Sequence, residues 1–147
     1  MAPLIVLIAA TGIARVAGFA GLAFLDSWSS AAAIGLGVMF LLTASAHFTQ
    51  PRRDGLIAIV PRWIPQPALV ITATGILELV GAAGLILPPT RVAAALCLGA
   101  LLVAMFPANI RAAQGVSHPA SPSTPLVVRM PIQALFLGAL AVVVTGL

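Results

Sequence analysis

An all-α fold, a polytopic bundle of transmembrane helices forming one domain over residues 1–147, is predicted by three features of the chain. It is 61% hydrophobic and only 7% charged over 147 residues, with a mean hydropathy of +1.17. Ordinary soluble domains are about 45–50% apolar and about 25% charged, and so few charges cannot build a water-facing surface. Five segments approach the roughly 20 apolar residues that a spanning helix needs, and prolines stand at their boundaries, where helices start and stop.

The segments are expected at about 3–25, 31–49, 67–87, 91–113 and 126–147. The first joins the second through "DSWSS" (26–30), so residues 1–30 hold an N-terminal helix ahead of a four-helix core. "QPRRDGLIAIVPRWIPQP" (50–67) follows the second segment, and its "GLIAIV" (55–60) is too short to span, which predicts an interfacial or partly re-entrant piece. "PPT" (88–90) makes a tight turn, and the polar "QGVSHPASPSTP" (114–125) leads to the last segment, whose start is set either at 126 or at Pro131. Gly12, Gly18 and Gly21, then Gly75, Gly81 and Gly84, are expected to let helices approach closely, as packing between helices in lipid requires.

The net charge of +4 and pI of 11.6 would suggest nucleic acid in a soluble protein. Here all seven cations are arginines beside apolar runs, so the charge reads as topogenic, the lipid bilayer is the expected partner and nucleic acid is not. Five segments place Arg52, Arg53, Arg62, Arg111 and Arg129 on one side and Arg91 on the other. That predicts a multi-pass protein of the cell (inner) membrane with its N-terminus cytoplasmic and its C-terminus outside. Trp28 and Trp63 fall in connecting segments, suited to headgroup depth. No removable signal peptide is read at the start. The lone Cys97 excludes an intrachain disulfide and reads as a small hydrophobic filler.

Polar groups within the spans are the candidate site residues, because a charge at mid-membrane costs roughly 2.5–3.5 kcal/mol or more and calls for a partner. Counting along helices at about 1.5 Å per residue puts Arg15 and Glu78 at one depth near mid-membrane, which predicts that they pair. The alternatives are that Arg15 snorkels or that Glu78 is protonated. Thr74, Glu78 and Ala82 share one helical face, and His47 shares a face with Thr43. His47, Asn109 and Gln133 are expected at the cytoplasmic ends of their helices, converging on a ligand pocket with Glu78 and Arg15 deeper on the same axis. Depth counting separates His47 from Glu78 by roughly a dozen Å, which counts against their acting together as acid and base. No metal is expected, since one histidine, one carboxylate and a distant cysteine do not form the usual ligand sets, and His118 in its Ser/Pro-rich loop reads as solvated. The sequence carries no phosphate-binding loop, nucleophile elbow or triad.

Five stretches in order, "GVMFLLTASAHFTQP" (37–51), "IVPRWIPQP" (59–67), "GILELVGAAGLILPPTRVAA" (75–94), "VAMFPANIRAA" (103–113) and "RMPIQALFLGAL" (129–140), resemble the DoxX-like family of small bacterial membrane proteins. The similarity spans about residues 36–147 and makes 31–147 a DoxX-like four-helix core. The family's helix-end histidine and proline fall on His47 and Pro51, its intramembrane glutamate on Glu78, its Pro-x-Asn on Pro107 and Asn109, and its arginine and glutamine on Arg129 and Gln133. The resemblance implies association with membrane redox complexes and a quinone as the candidate cofactor. The chain departs from that pattern in its extra N-terminal helix with Arg15 and in lacking a cysteine pair.

Three functions are compatible with these residues. The first is an accessory or assembly module that binds a quinone or another lipophilic small molecule beside redox-complex subunits. The second is a membrane enzyme using Glu78 and His47 as acid–base groups on a lipophilic substrate. The third is a small transporter coupled to protons through Glu78.

Overall fold

The computed structural model describes residues 1–116 and 118–147. It is an all-α bundle in which five helical segments are long and apolar enough to cross a membrane. The order is α1 (Ala2–Phe19), α2 (Trp28–Phe48), the short α3 (Arg52–Ile59), α4 (Pro67–Ile86), α5 (Arg91–Ala104), α6 (Phe106–Ala113) and α7 (Leu126–Thr145), with single 3-10 turns at Ala23–Leu25 and Pro88–Thr90.

Helix α2 is the axis of the bundle. It packs against α1, α4 and α7, while α5 closes the ring between α4 and α7. Its Leu36, Met39 and Phe40 join Leu85 of α4 and Leu98 of α5 in the core. Ile5, Ile13, Val80, Leu96 and Val103 point outward from their helices, giving the bundle an apolar skin suited to acyl chains. The residues from Trp28 to Phe48 advance about 30 Å along α2, the thickness of a hydrocarbon core. Trp28 and Trp63 are both exposed and mark the two ends.

Helix boundaries differ from the sequence expectation where glycine and proline intervene. α1 stops at Phe19 rather than near 25, because Gly21 takes φ +105°, a conformation that ends the helix and turns the chain. Ser27 then caps α2, its side chain accepting from the Ser30 amide at 3.0 Å. Pro107 cannot donate to the turn before it, so the fourth span breaks at Met105 into α5 and α6. α7 begins at Leu126 and carries Pro131 inside it. The carbonyl of Val127 loses its helical donor there, and Val127 is exposed at the helix mouth where polar surroundings can serve that carbonyl.

The stretch expected to be interfacial forms α3, tucked under the arginine-rich end of the bundle. Ala120 and Ser121 lie directly on it, and a Cβ at Gly55 would overlap the backbone of Ala120. Arg111 donates to the Val60 carbonyl and fastens α6 to the end of α3. His118 is half-buried rather than solvated, its Nδ1 accepting from the Ala120 amide at 3.2 Å. Cys97 is exposed on the outer face of α5 instead of filling the core. Of the expected helix-contact glycines, Gly12 and Gly21 meet nothing within 4 Å, whereas Gly75 is pressed against α2.

Candidate functional site

The polar core is a ladder between α2 and α4. The two helices run antiparallel, and each carries a polar pair four residues apart: Thr43 and His47 on α2, Thr74 and Glu78 on α4. Residues i and i+4 lie one above the other on a helix face, so the pairs meet rung by rung. On the inner rung the Thr43 hydroxyl donates to Glu78 Oε2 at 2.7 Å. On the outer rung His47 Nδ1 lies 3.1 Å from the Thr74 hydroxyl and 2.8 Å from the Ile71 carbonyl. The diagonal is closed by His47 Nε2 and Glu78 Oε1 at 3.6 Å. His47 and Glu78 are 4% and 2% exposed, so water has almost no access to either.

Geometry constrains the protons. A carbonyl oxygen can only accept, so the Ile71 contact requires hydrogen on Nδ1. Nε2 then faces a carboxyl group across 3.6 Å. One proton on either Nε2 or the Glu78 carboxyl would make the pair net neutral, as neutral imidazole with carboxylic acid or as imidazolium with carboxylate. Neutrality is what burial among apolar helices favours.

Two features hold the ladder in register. At Gly75 the helices approach so closely that a Cβ would come 2.6 Å from His47 Cβ and 2.9 Å from the Phe48 ring. Arg53 of α3 donates through Nη1 to the His47 carbonyl at the end of α2. Its Nη2 donates to the Thr72 hydroxyl at 2.9 Å and to the Ala68 carbonyl at 3.2 Å. One guanidinium thus joins the end of α2 to the first turns of α4.

The contact between His47 and Glu78 corrects the expectation that depth separates them. Depth counting assumed that α2 ends and α4 begins in one plane. Glu78 lies level with Thr43, so α4 begins about 9 Å beyond the end of α2, and α3 occupies the space that this offset opens. The expected pairing of Arg15 with Glu78 is also corrected. Because α1 ends early, Arg15 stands one turn from its end, at the opposite end of the bundle from Arg53. Its Nη1 lies 3.3 Å from Asp26, and its guanidinium sits 3.9 Å above the Phe19 ring and 5.4 Å from that of Trp28. This is the snorkelling alternative, with an aromatic platform.

Asn109 and Gln133 form a second polar cluster, between α6 and α7. Asn109 Nδ2 donates to Gln133 Oε1 at 3.2 Å, and Gln133 Nε2 donates to the Leu102 carbonyl at 3.1 Å. Arg129 adds Nη1 to Asn109 Oδ1 at 3.2 Å and Nε to the Thr124 carbonyl at 2.7 Å. The single funnel expected from the sequence is two cavities that share Asn109. One, of about 220 Å³, lies beneath His47 between α3, α4, α5 and α6; Thr74 and Asn109 are its other main polar groups, with Leu56, Ile59, Leu101 and Met105 among its apolar walls. The other, of about 160 Å³, contains Gln133 and Arg129. Glu78 lines neither and stands behind His47. Among the described residues no three His, Cys, Asp or Glu side chains are grouped to hold a metal ion.

Thr43, Thr74, Arg53 and Arg129 are the site residues that the sequence reading left out of its candidate set. The two threonines had a visible signal, since two polar i, i+4 pairs on consecutive antiparallel spans can interlock. Arg53 looked topogenic and is distinguished by its contacts, whereas Arg129 was marked beforehand by the family resemblance alone.

Fold and site together define a multi-pass membrane helical bundle with a buried histidine–carboxylate pair behind a small apolar cavity. The chain belongs to the family described as Domain of unknown function (DUF8561), which matches residues 36–145. The match covers α2 from its third turn through α7 and includes every ladder residue, while α1 and Arg15 lie outside it. No curated protein and no solved structure matches the chain.

Proposed function

We propose that the protein is an accessory or assembly module of a membrane redox system that binds a lipophilic small molecule with a polar ring head. The observation that carries this reading is the cavity of about 220 Å³ beneath His47, apolar except at His47, Thr74 and Asn109. Such a lining, mostly apolar with few placed polar groups, is typical of small-molecule sites. An apolar cavity of about 150 Å³ accommodates benzene, so this one has room for one substituted ring, with any tail passing outward between helices. A quinone head fits that description. The similarity to the DoxX-like family covers nearly the same residues as the domain match and supports the redox setting, by analogy alone.

A second reading is favoured by the 3.6 Å contact of His47 with Glu78. In it His47, which lines the cavity, exchanges a proton with the ligand, and Glu78 holds the ring and balances its charge, as in a membrane acid–base enzyme. Proton-coupled transport through Glu78 is the third. The orientation we propose places the N-terminus in the cytoplasm and the C-terminus outside the cell (inner) membrane, with the five loop-side arginines on the cytoplasmic face.

The test uses protein purified in mild detergent. Solvent extraction and mass spectrometry identify retained lipophiles, and a short-chain ubiquinone serves as the added probe. Wild type should retain or bind such a molecule, and Ala108→Phe, which fills the cavity, should release it without changing the elution profile. Consumption of the lipophile on incubation would favour the enzyme reading. Protein that carries no lipophile and ignores the probe would remove the binding proposal.

A further inference from the structure

Arg129 is a cation without a carboxylate. The chain has three acidic side chains, Asp26, Asp54 and Glu78. Asp26 lies against Arg15, Asp54 accepts from Gln50, and Glu78 is engaged by Thr43 and His47. The Arg129 guanidinium is nevertheless half-buried in the smaller cavity. A charge withdrawn from water is costly unless a counter-charge accompanies it.

The side chain is also aimed. Its Nε and Nη1 are committed to Thr124 and Asn109, which fixes the plane of the fork. Nη2 has no hydrogen-bond partner among the described residues. Leu4, Ile132 and Phe136 wall the same cavity with apolar surface. Arg129 lies in the first turn of α7, at the depth where a bilayer changes from headgroup to hydrocarbon. A fixed cation with one open edge, beside an apolar slot at that depth, matches an anion carried on an aliphatic chain.

We propose that the cavity between α1, α6 and α7 binds a phosphate-type anionic head, with the open edge of Arg129 as its charge partner and the apolar walls receiving the first carbons attached to it. Phosphate is among the anions that arginine binds through charge-assisted hydrogen bonds, and the open Nη2 edge offers such a donor. The site is separate from the cavity beneath His47 and meets it only at Asn109.

The experiment measures thermal protection and native mass spectra of the full chain in mild detergent. Phosphatidylglycerol, phosphatidylcholine and inorganic phosphate are the three probes. Phosphatidylglycerol should protect wild type and survive as an adduct, and phosphatidylcholine, whose choline cation offsets the same phosphate charge, should protect less. Arg129→Gln should weaken that retention by roughly tenfold to a hundredfold, the range for loss of a charge-assisted contact. Arg129→Lys should keep part of it. The exposed Arg52→Gln should keep all of it. Protection by inorganic phosphate that Arg129→Gln abolishes would assign the same site to a soluble anion, and its absence would assign it to lipid. Equal protection by both lipids, equal retention by Arg129→Gln, or an equal loss in Arg52→Gln would each overturn the proposal. The wild-type comparison of lipids does not depend on any variant folding.

Discussion

Replacing Glu78 in two ways tests the proton arrangement of the ladder. With hydrogen on Nδ1, the neutral His47 ring presents Nε2 as an acceptor toward position 78. Glu78→Gln supplies an amide that donates to Nε2 while its oxygen still accepts from Thr43, so every buried polar atom keeps a partner. The expected cost is below about 1 kcal/mol. Glu78→Leu removes both contacts. The Thr43 hydroxyl can fall back on the Phe40 carbonyl, 3.1 Å away, so it is not stranded. His47 Nε2 has no such reserve and becomes a buried orphan, at about 1–3 kcal/mol. The leucine variant should therefore lose roughly 2–12 °C of unfolding temperature and the glutamine variant less than about 4 °C, taking about 2–4 °C per kcal/mol for a chain of this size. Thermal unfolding in detergent reads the difference, and nitrogen NMR of labelled histidine reads the tautomer. Equal destabilisation by Gln and Leu, or a neutral ring protonated at Nε2 in the glutamine variant, would refute this account of the pair.

Three other perturbations probe the frame around it. Gly75→Ala drives a methyl to 2.6 Å from His47 Cβ and should cost about 1–3 kcal/mol by overpacking; unchanged thermal stability would show that α2 and α4 separate freely there. Arg15→Ala combined with Glu78→Gln should be additive within about 0.5 kcal/mol, since the two lie at different levels of the bundle and share no partner; a larger coupling in the double-mutant cycle would contradict the placement of Arg15 beside Asp26. Reporter fusions at residues 58 and 120 should give a cytoplasmic signal and a fusion after Leu147 an exterior one, and a cytoplasmic C-terminus would reverse or break the proposed topology.

The five spans were legible because an apolar run near the bilayer thickness has few other uses. Their ends were less so, since Gly21 and Pro107 act through backbone conformation and a missing donor, not through hydropathy. Thr43, His47, Thr74 and Glu78 were each visible, as were the faces that hold them. What could not be counted along the chain was the offset between α2 and α4. That offset comes from α3 packing beneath α2, with Arg53 bridging across, and it turns an expected separation into contact. Arg15 misled for the related reason that its depth was measured along a helix that stops early. Asn109 and Gln133 were placed at the correct end, but the division into two cavities depends on the turn at Met105 that swings α6 toward α7.

The interlocking of Thr43 and His47 with Thr74 and Glu78 also bears on how the chain enters the bilayer. Helix α2 is made first and carries a histidine whose main partners are still unsynthesised. Helix α4 brings those partners only after α3 and its flanking turns have been translated, a few seconds later at about 5–20 residues per second. In that interval His47 has neither Glu78 nor the Ile71 carbonyl to pair with, and a polar ring without partners is costly in lipid. Release of α2 into lipid is therefore most favourable once α4 stands beside it, and the order of synthesis becomes part of how the buried pair is assembled.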